Sequence, residues 1–97
     1  MSEITNVRPS PIAGTWYSDD PEQLKNTVDA YIQQAHLPEV PGEVIGLVAP
    51  HAGYRYSGAV AGHAFKTVLG KSYDVIAVIS PMHQHHPQPL LTSAHQA

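Results

Sequence analysis

The sequence predicts an α/β fold, a partial and mostly parallel sheet of two or three strands with two flanking helices. Three observations carry that expectation. Val44–Ala49 and Val75–Ser80 are short apolar runs without alternation, the pattern of strands covered on both faces. Two stretches of helical periodicity alternate with them. Each run also ends in a proline followed closely by a histidine, Pro50-His51 and Pro81-Met82-His83. Parallel strands would carry both histidines to one C-terminal edge, where open α/β sheets bind ligands.

The elements follow in chain order. Residues 1–18 read as an extended arm, because Pro9 and Pro11 push their predecessors away from helix. Gly14 permits a turn just before Trp16-Tyr17. Asp20-Pro21-Glu22-Gln23 starts a helix: Asp20 caps, Pro21 suits the first position, and Gln23 completes a capping box. Leu24, Val28, Tyr31, Ile32 and Ala35 then form one apolar face, and the helix stops near His36, ahead of Pro38. Leu37 to Glu43 is a connector, Val44–Ala49 the first strand, and Pro50 to Ser57 a loop.

Helix resumes near Ser57, which is placed to cap it. Val60, Ala61, Ala64, Phe65, Val68 and Leu69 share its face, and Gly70 is placed to end it. The second strand is Val75–Ser80, and Leu90-Leu91-Thr92 begins a third. No repeat or internal boundary is visible, so residues 1–97 read as a single, incomplete domain.

Composition narrows the function classes. The chain has 97 residues, a formal net charge of −3 and only 5 Lys or Arg, which disfavours nucleic acid as a partner. No apolar run reaches membrane-spanning length and the N-terminus lacks a signal pattern, so the expected location is the cytoplasm. Without cysteine there is no disulfide, no iron–sulfur cluster and no thiol nucleophile.

Among the 7 histidines, His51 and His83 stand out as metal-ligand candidates, because neutral imidazole suits first-row transition metals. A metal site needs at least a third donor. A histidine in a post-strand loop is more often a plain surface residue; the paired placement is what raises the metal reading. His36 and His95 are read as solvated, His63 as solvent-facing or supporting, and His85-His86 as a turn. In the loop His51 to Gly58, Tyr54 and Tyr56 offer phenol groups and Arg55 an anion-binding fork. Tyrosines in loops often only pack with a wet hydroxyl. Gly53 and Gly58 permit close backbone approach. No phosphate-binding loop is present.

Together these segments resemble one family. Ala13-Gly14-Thr15-Trp16-Tyr17 resembles an Ala-Gly-Ser-Trp-Tyr signature, and Ala49 to Gly58 a Pro-His-Ala-Gly-Tyr loop. Ala61-Gly62-His63-Ala64-Phe65 resembles its next helix, and Ser80-Pro81-Met82-His83 its Gly-Pro-Ser-His-His stretch. This is the Memo family, called AmmeMemoRadiSam system protein B in many prokaryotes. The resemblance implies a fold similar to class III extradiol dioxygenases, which use non-haem iron. It implies that His51 and His83 are metal ligands, that Trp16, Tyr54 and Tyr56 line the adjoining pocket, and that iron or copper is the ion. It also implies redox chemistry, with some members acting as interaction proteins.

Members are roughly three times this length. Their usual third ligand, a downstream cysteine, has no counterpart in a chain without cysteine. Met82 replaces a small serine and Gln84 the second histidine of the usual pair. The expectation is therefore part of a metal-dependent redox protein, with an incomplete ligand set of its own. The alternatives are a module that binds a peptide or small anion, and an inactive gene fragment. A sheet halted after two or three strands would also invite self-association through its exposed edge.

Overall fold

The computed structural model describes residues 3–97. It comprises two compact units, Pro11–Lys71 and a second made of the residues up to Ser10 with Ser72–Ala97.

The regular structure lies in the first unit as two helices, α1 (Pro21–Gln34) and α2 (Tyr54–Lys66). Helix α1 starts where Asp20 and Pro21 direct it, with the Asp20 carboxylate accepting from the Glu22 N–H at 3.1 Å. The capping box takes a relayed form. Gln23 accepts from the Ser18 hydroxyl at 2.7 Å, and Ser18 in turn accepts from the Asp20 N–H at 3.1 Å. The helix closes at Ala35, which is extended and 1% exposed.

Helix α2 starts earlier than the spacing around Ser57 predicts. Its N-cap is Gly53, with no side-chain cap. The Tyr54 N–H is instead satisfied by the Trp16 carbonyl at 3.0 Å, a backbone group from the arm. Ser57 lies inside the helix, buried, and donates to the Ala52 carbonyl at 3.0 Å. At the far end α2 gives way to turns that finish at Gly70, whose φ of +76° suits glycine.

The two helices pack through glycine. A Cβ at Gly58 would fall 2.5 Å from the Tyr31 ring, and one at Gly62 would fall 2.6 Å from the Tyr31 carbonyl oxygen. Both glycines are buried. Tyr31 lies against Gly62, and Ala35, one turn on, accepts at 2.6 Å from Lys66 Nζ, one turn beyond Gly62. The helices therefore run in the same sense. Lys66 also places a cation at the carbonyl end of α1, where the helix dipole favours positive charge.

The expected sheet is not formed. The described residues contain no β-strand, and Val44–Ala49, Val75–Ser80 and Leu90-Leu91-Thr92 are irregular. The α/β expectation is corrected to a pair of helices with long irregular segments. The reason is physical. An apolar run records a demand for burial, but a strand exists only when its backbone groups pair with a neighbour about 4.8 Å away. The first two runs belong to different units, and neither enters a ladder. Ile45, Val48 and Ile79 are accordingly 94%, 95% and 93% exposed.

In the second unit the arm and the C-terminal residues clip together. The Arg8 N–H donates to the Ala97 carbonyl at 2.7 Å, and the Gln96 N–H to the Asn6 carbonyl at 2.9 Å. The Gln96 side-chain oxygen accepts from the N–H groups of Thr5 and Asn6, both at 2.8 Å. No helix among the described residues is long and apolar enough to cross a membrane.

Candidate functional site

The arm shapes the site before any side chain enters it. Gly14 adopts a φ of +90°, which lets the chain reverse. The turn is closed by the Thr15 and Trp16 N–H groups on the Ile12 carbonyl, at 3.1 and 3.0 Å. The Gly14 N–H returns to the Tyr17 carbonyl at 2.7 Å. This fixes Trp16 and Tyr17 side by side at the start of α2.

Three contacts then join arm and helices. The Trp16 carbonyl accepts from the Tyr54 N–H. The rings of Tyr17 and Tyr54 stand 5.3 Å apart, tilted by 36°, within the range of favourable aromatic pairs. The Tyr31 hydroxyl donates to the Tyr54 carbonyl at 3.0 Å. A Cβ at Gly53 would lie 3.6 Å from the Trp16 oxygen and 3.7 Å from the Tyr56 ring, ordinary contact distances, so the approach leaves room for a small side chain there.

The result is a shallow depression of about 540 Å³, with Trp16, Tyr17, Tyr31, Tyr54 and Arg55 in its wall. Its chemistry is mixed. Aromatic faces offer stacking, and the Arg55 guanidinium offers charge-assisted hydrogen bonds to an anion. A second depression of about 590 Å³ follows the polar side of α1 past Asp20, Gln23, Asn26 and Gln34, and shares Tyr31.

The structure thus brings together Trp16 and Tyr54 of the expected pocket residues. Tyr56 is 79% exposed and absent from that wall; it carries the Arg55 guanidinium 5.8 Å from its ring centroid. His51 is exposed in the loop leading into α2, in the same unit as Trp16 and Tyr54. His83 is exposed and belongs to the other unit. His63 sits on α2 with Nδ1 2.7 Å from the Ala59 carbonyl.

Among the described residues no complete metal-ligand set is gathered. Two imidazoles fall short of the three or more donors a transition ion takes. Among the described residues no group of three or more His, Asp or Glu side chains is gathered closely enough to hold one.

Tyr31 and Gly62 are the contributors that periodicity alone did not single out as site residues. Their signal was present in the sequence: Gly58 and Gly62 are one turn apart, so both fall on one helix face, where they admit a large neighbour.

With the geometry in view, comparison with known proteins places the chain. The sequence model of the Memo-like protein family matches residues 8–97, so the chain belongs to that family. Protein MEMO1 of Xenopus laevis is 36% identical over 83 residues, covering 86% of this chain and 27% of the relative. Protein MEMO1 of Homo sapiens is 34% identical over the same shares. A MEMO1 family protein of the archaeal type, from Methanopyrus kandleri, is 36% identical over 85 residues, covering 78% of this chain and 30% of the relative. The chain therefore spans about 27% of the length of the first of these relatives. No solved structure matches it.

Proposed function

We propose that the chain supplies part of the metal site of a Memo-family redox protein. In this reading His51 and His83 are imidazole ligands to iron or copper, and Trp16 and Tyr54 form the aromatic wall beside them. The observation that supports it most is the Tyr54 N–H bond to the Trp16 carbonyl. It joins two separate family signatures at the loop that carries His51. In this reading a further donor comes from outside these residues: the chain has no cysteine, and among the described residues no group of three or more His, Asp or Glu is gathered.

The test is metal titration of the purified chain with copper(II) or iron(II), read by elemental analysis after dialysis. His51→Ala and His83→Ala are each expected to weaken binding about ten-fold, while His36→Ala leaves it unchanged. Equal metal uptake in all three variants refutes the assignment.

One observation favours a second reading, a module for a peptide or small anion. The depression lined by Trp16, Tyr17, Tyr54 and Arg55 lies wholly within one unit and does not include His51. Binding through it would be lost in Tyr54→Ala and kept in His51→Ala, as followed by Trp16 fluorescence.

A further inference from the structure

We propose that Tyr31 is a positioning residue, whose hydroxyl sets the junction between Trp16 and Tyr54. The inference rests on the reading that Trp16 and Tyr54 belong to the functional site, and it adds a residue from a different element.

The argument begins with the start of α2. A helix leaves its first N–H groups without internal partners, and Gly53 has no side chain to cap them. The Tyr54 N–H takes the Trp16 carbonyl instead. The Tyr54 N–H is thereby held by an arm whose own structure is a short turn.

Tyr31 holds the same residue from its carbonyl side. Its hydroxyl reaches the Tyr54 carbonyl at 3.0 Å, part-buried. That carbonyl sits in the first turn of α2, and Tyr31 approaches from α1. The two bonds flank one residue: the Trp16 carbonyl on the Tyr54 N–H, the Tyr31 hydroxyl on the Tyr54 carbonyl. The two bonds fall on successive peptide groups that meet at the Tyr54 Cα, so together they fix the backbone orientation of that residue, and loss of one frees the other to move.

The placement of Tyr31 is itself over-determined. Its ring lies over Gly58 so closely that a Cβ would come within 2.5–2.9 Å of three ring carbons. Its backbone abuts Gly62. A ring so confined has little rotamer freedom, and its hydroxyl is delivered to one spot. Tyr31 also lies in the wall of both depressions. It therefore couples helix packing to the shape of the aromatic wall.

The test separates positioning from plain packing. Tyr31→Phe keeps the ring over Gly58 and removes only the hydroxyl. Amide hydrogen exchange is followed by NMR in the whole chain at Tyr54 and, as an internal reference, at Ala61 and Ala64 further along α2. Exchange at Tyr54 is expected to accelerate about ten-fold relative to the reference amides.

Unchanged exchange at Tyr54 overturns the proposal. So does an equal acceleration at all three amides, which is the signature of a merely structural role. Tyr31→Leu, which loses ring and hydroxyl together, is the second variant: it is expected to accelerate all three amides, with Tyr54 still ahead. Should Tyr54 keep pace with the others there, the proposal again fails. The exchange readout needs no metal or ligand. It therefore decides the role of Tyr31 even if copper(II) titration overturns the metal reading.

Discussion

Adding one methyl group at Gly62 probes the contact on which the helix pair depends. A Cβ there would lie 2.6 Å from the Tyr31 carbonyl oxygen and 2.8 Å from its carbonyl carbon. Both atoms are backbone, so neither can swing aside. Ordinary contact requires roughly 3.5 Å or more, so the helices must part by roughly 1 Å. A shift of that size carries the Tyr31–Tyr54 bond of 3.0 Å and the Lys66–Ala35 bond of 2.6 Å out of good geometry.

Overpacking of this kind costs about 1–3 kcal/mol, and each weakened hydrogen bond adds about 0.5–1.5 kcal/mol. Against this, alanine is favoured over glycine within a helix by about 1 kcal/mol. The net expectation for Gly62→Ala is a loss of about 3 kcal/mol, a fall in Tm of about 15 °C in a unit of this size. Thermal melting followed by circular dichroism at the helical band measures it. Gly46→Ala is the control: nothing lies within 4 Å of its added Cβ, and the expected effect is neutral to slightly stabilising. A Gly62→Ala chain as stable as the original would refute the close-packed register of α1 on α2.

The remaining predictions concern charges. Lys66→Met keeps the aliphatic stem but removes the donor to the Ala35 carbonyl, and should cost about 1 kcal/mol in urea unfolding; no change in the midpoint would discount the bond. Lys25 and Asp29 form an exposed pair at 2.7 Å. The Asp29 carboxylate, first by hydrogen bonding and then by charge, raises the Lys25 pKa above its ordinary value. Whatever stability this gives is present below the ordinary lysine range and fades as pH rises through the raised value. Asp29→Asn should return the Lys25 titration, followed by NMR, to the ordinary range while leaving Tm unchanged. A Lys25 titration that does not move would show the pair to be absent in solution.

Local chemistry made α1 legible, because its determinants are local. Asp20, Pro21 and the Leu24–Ala35 face all act within a few residues of themselves. Gly14 and Gly70 were legible for the same reason, each marking a backbone turn that other residues avoid. The start of α2 was not. Ser57 has the chemistry of a cap, but the first turn is organised by the Trp16 carbonyl from far along the chain, and no local pattern reports that. The apolar runs misled in a different way. Val44–Ala49 and Val75–Ser80 say that these residues favour burial, whereas pairing depends on what stands beside them. Trp16 and Tyr54, marked by their motifs, lie in the wall of one depression. Tyr56 follows Tyr54 by two residues but turns away, since two helical steps rotate a side chain by about 200°. Tyr31 was read only as part of an apolar face.

The Trp16–Tyr54 bond has a consequence for how the first unit assembles. Closing the loop from residue 16 to residue 54 costs chain entropy that grows with the logarithm of its length. Helix α1 lies inside that loop. Each turn of α1 that winds up shortens the flexible chain left to close. The residues between the two partners thus prepare their meeting, and the arm brings α2 the partner for its first N–H.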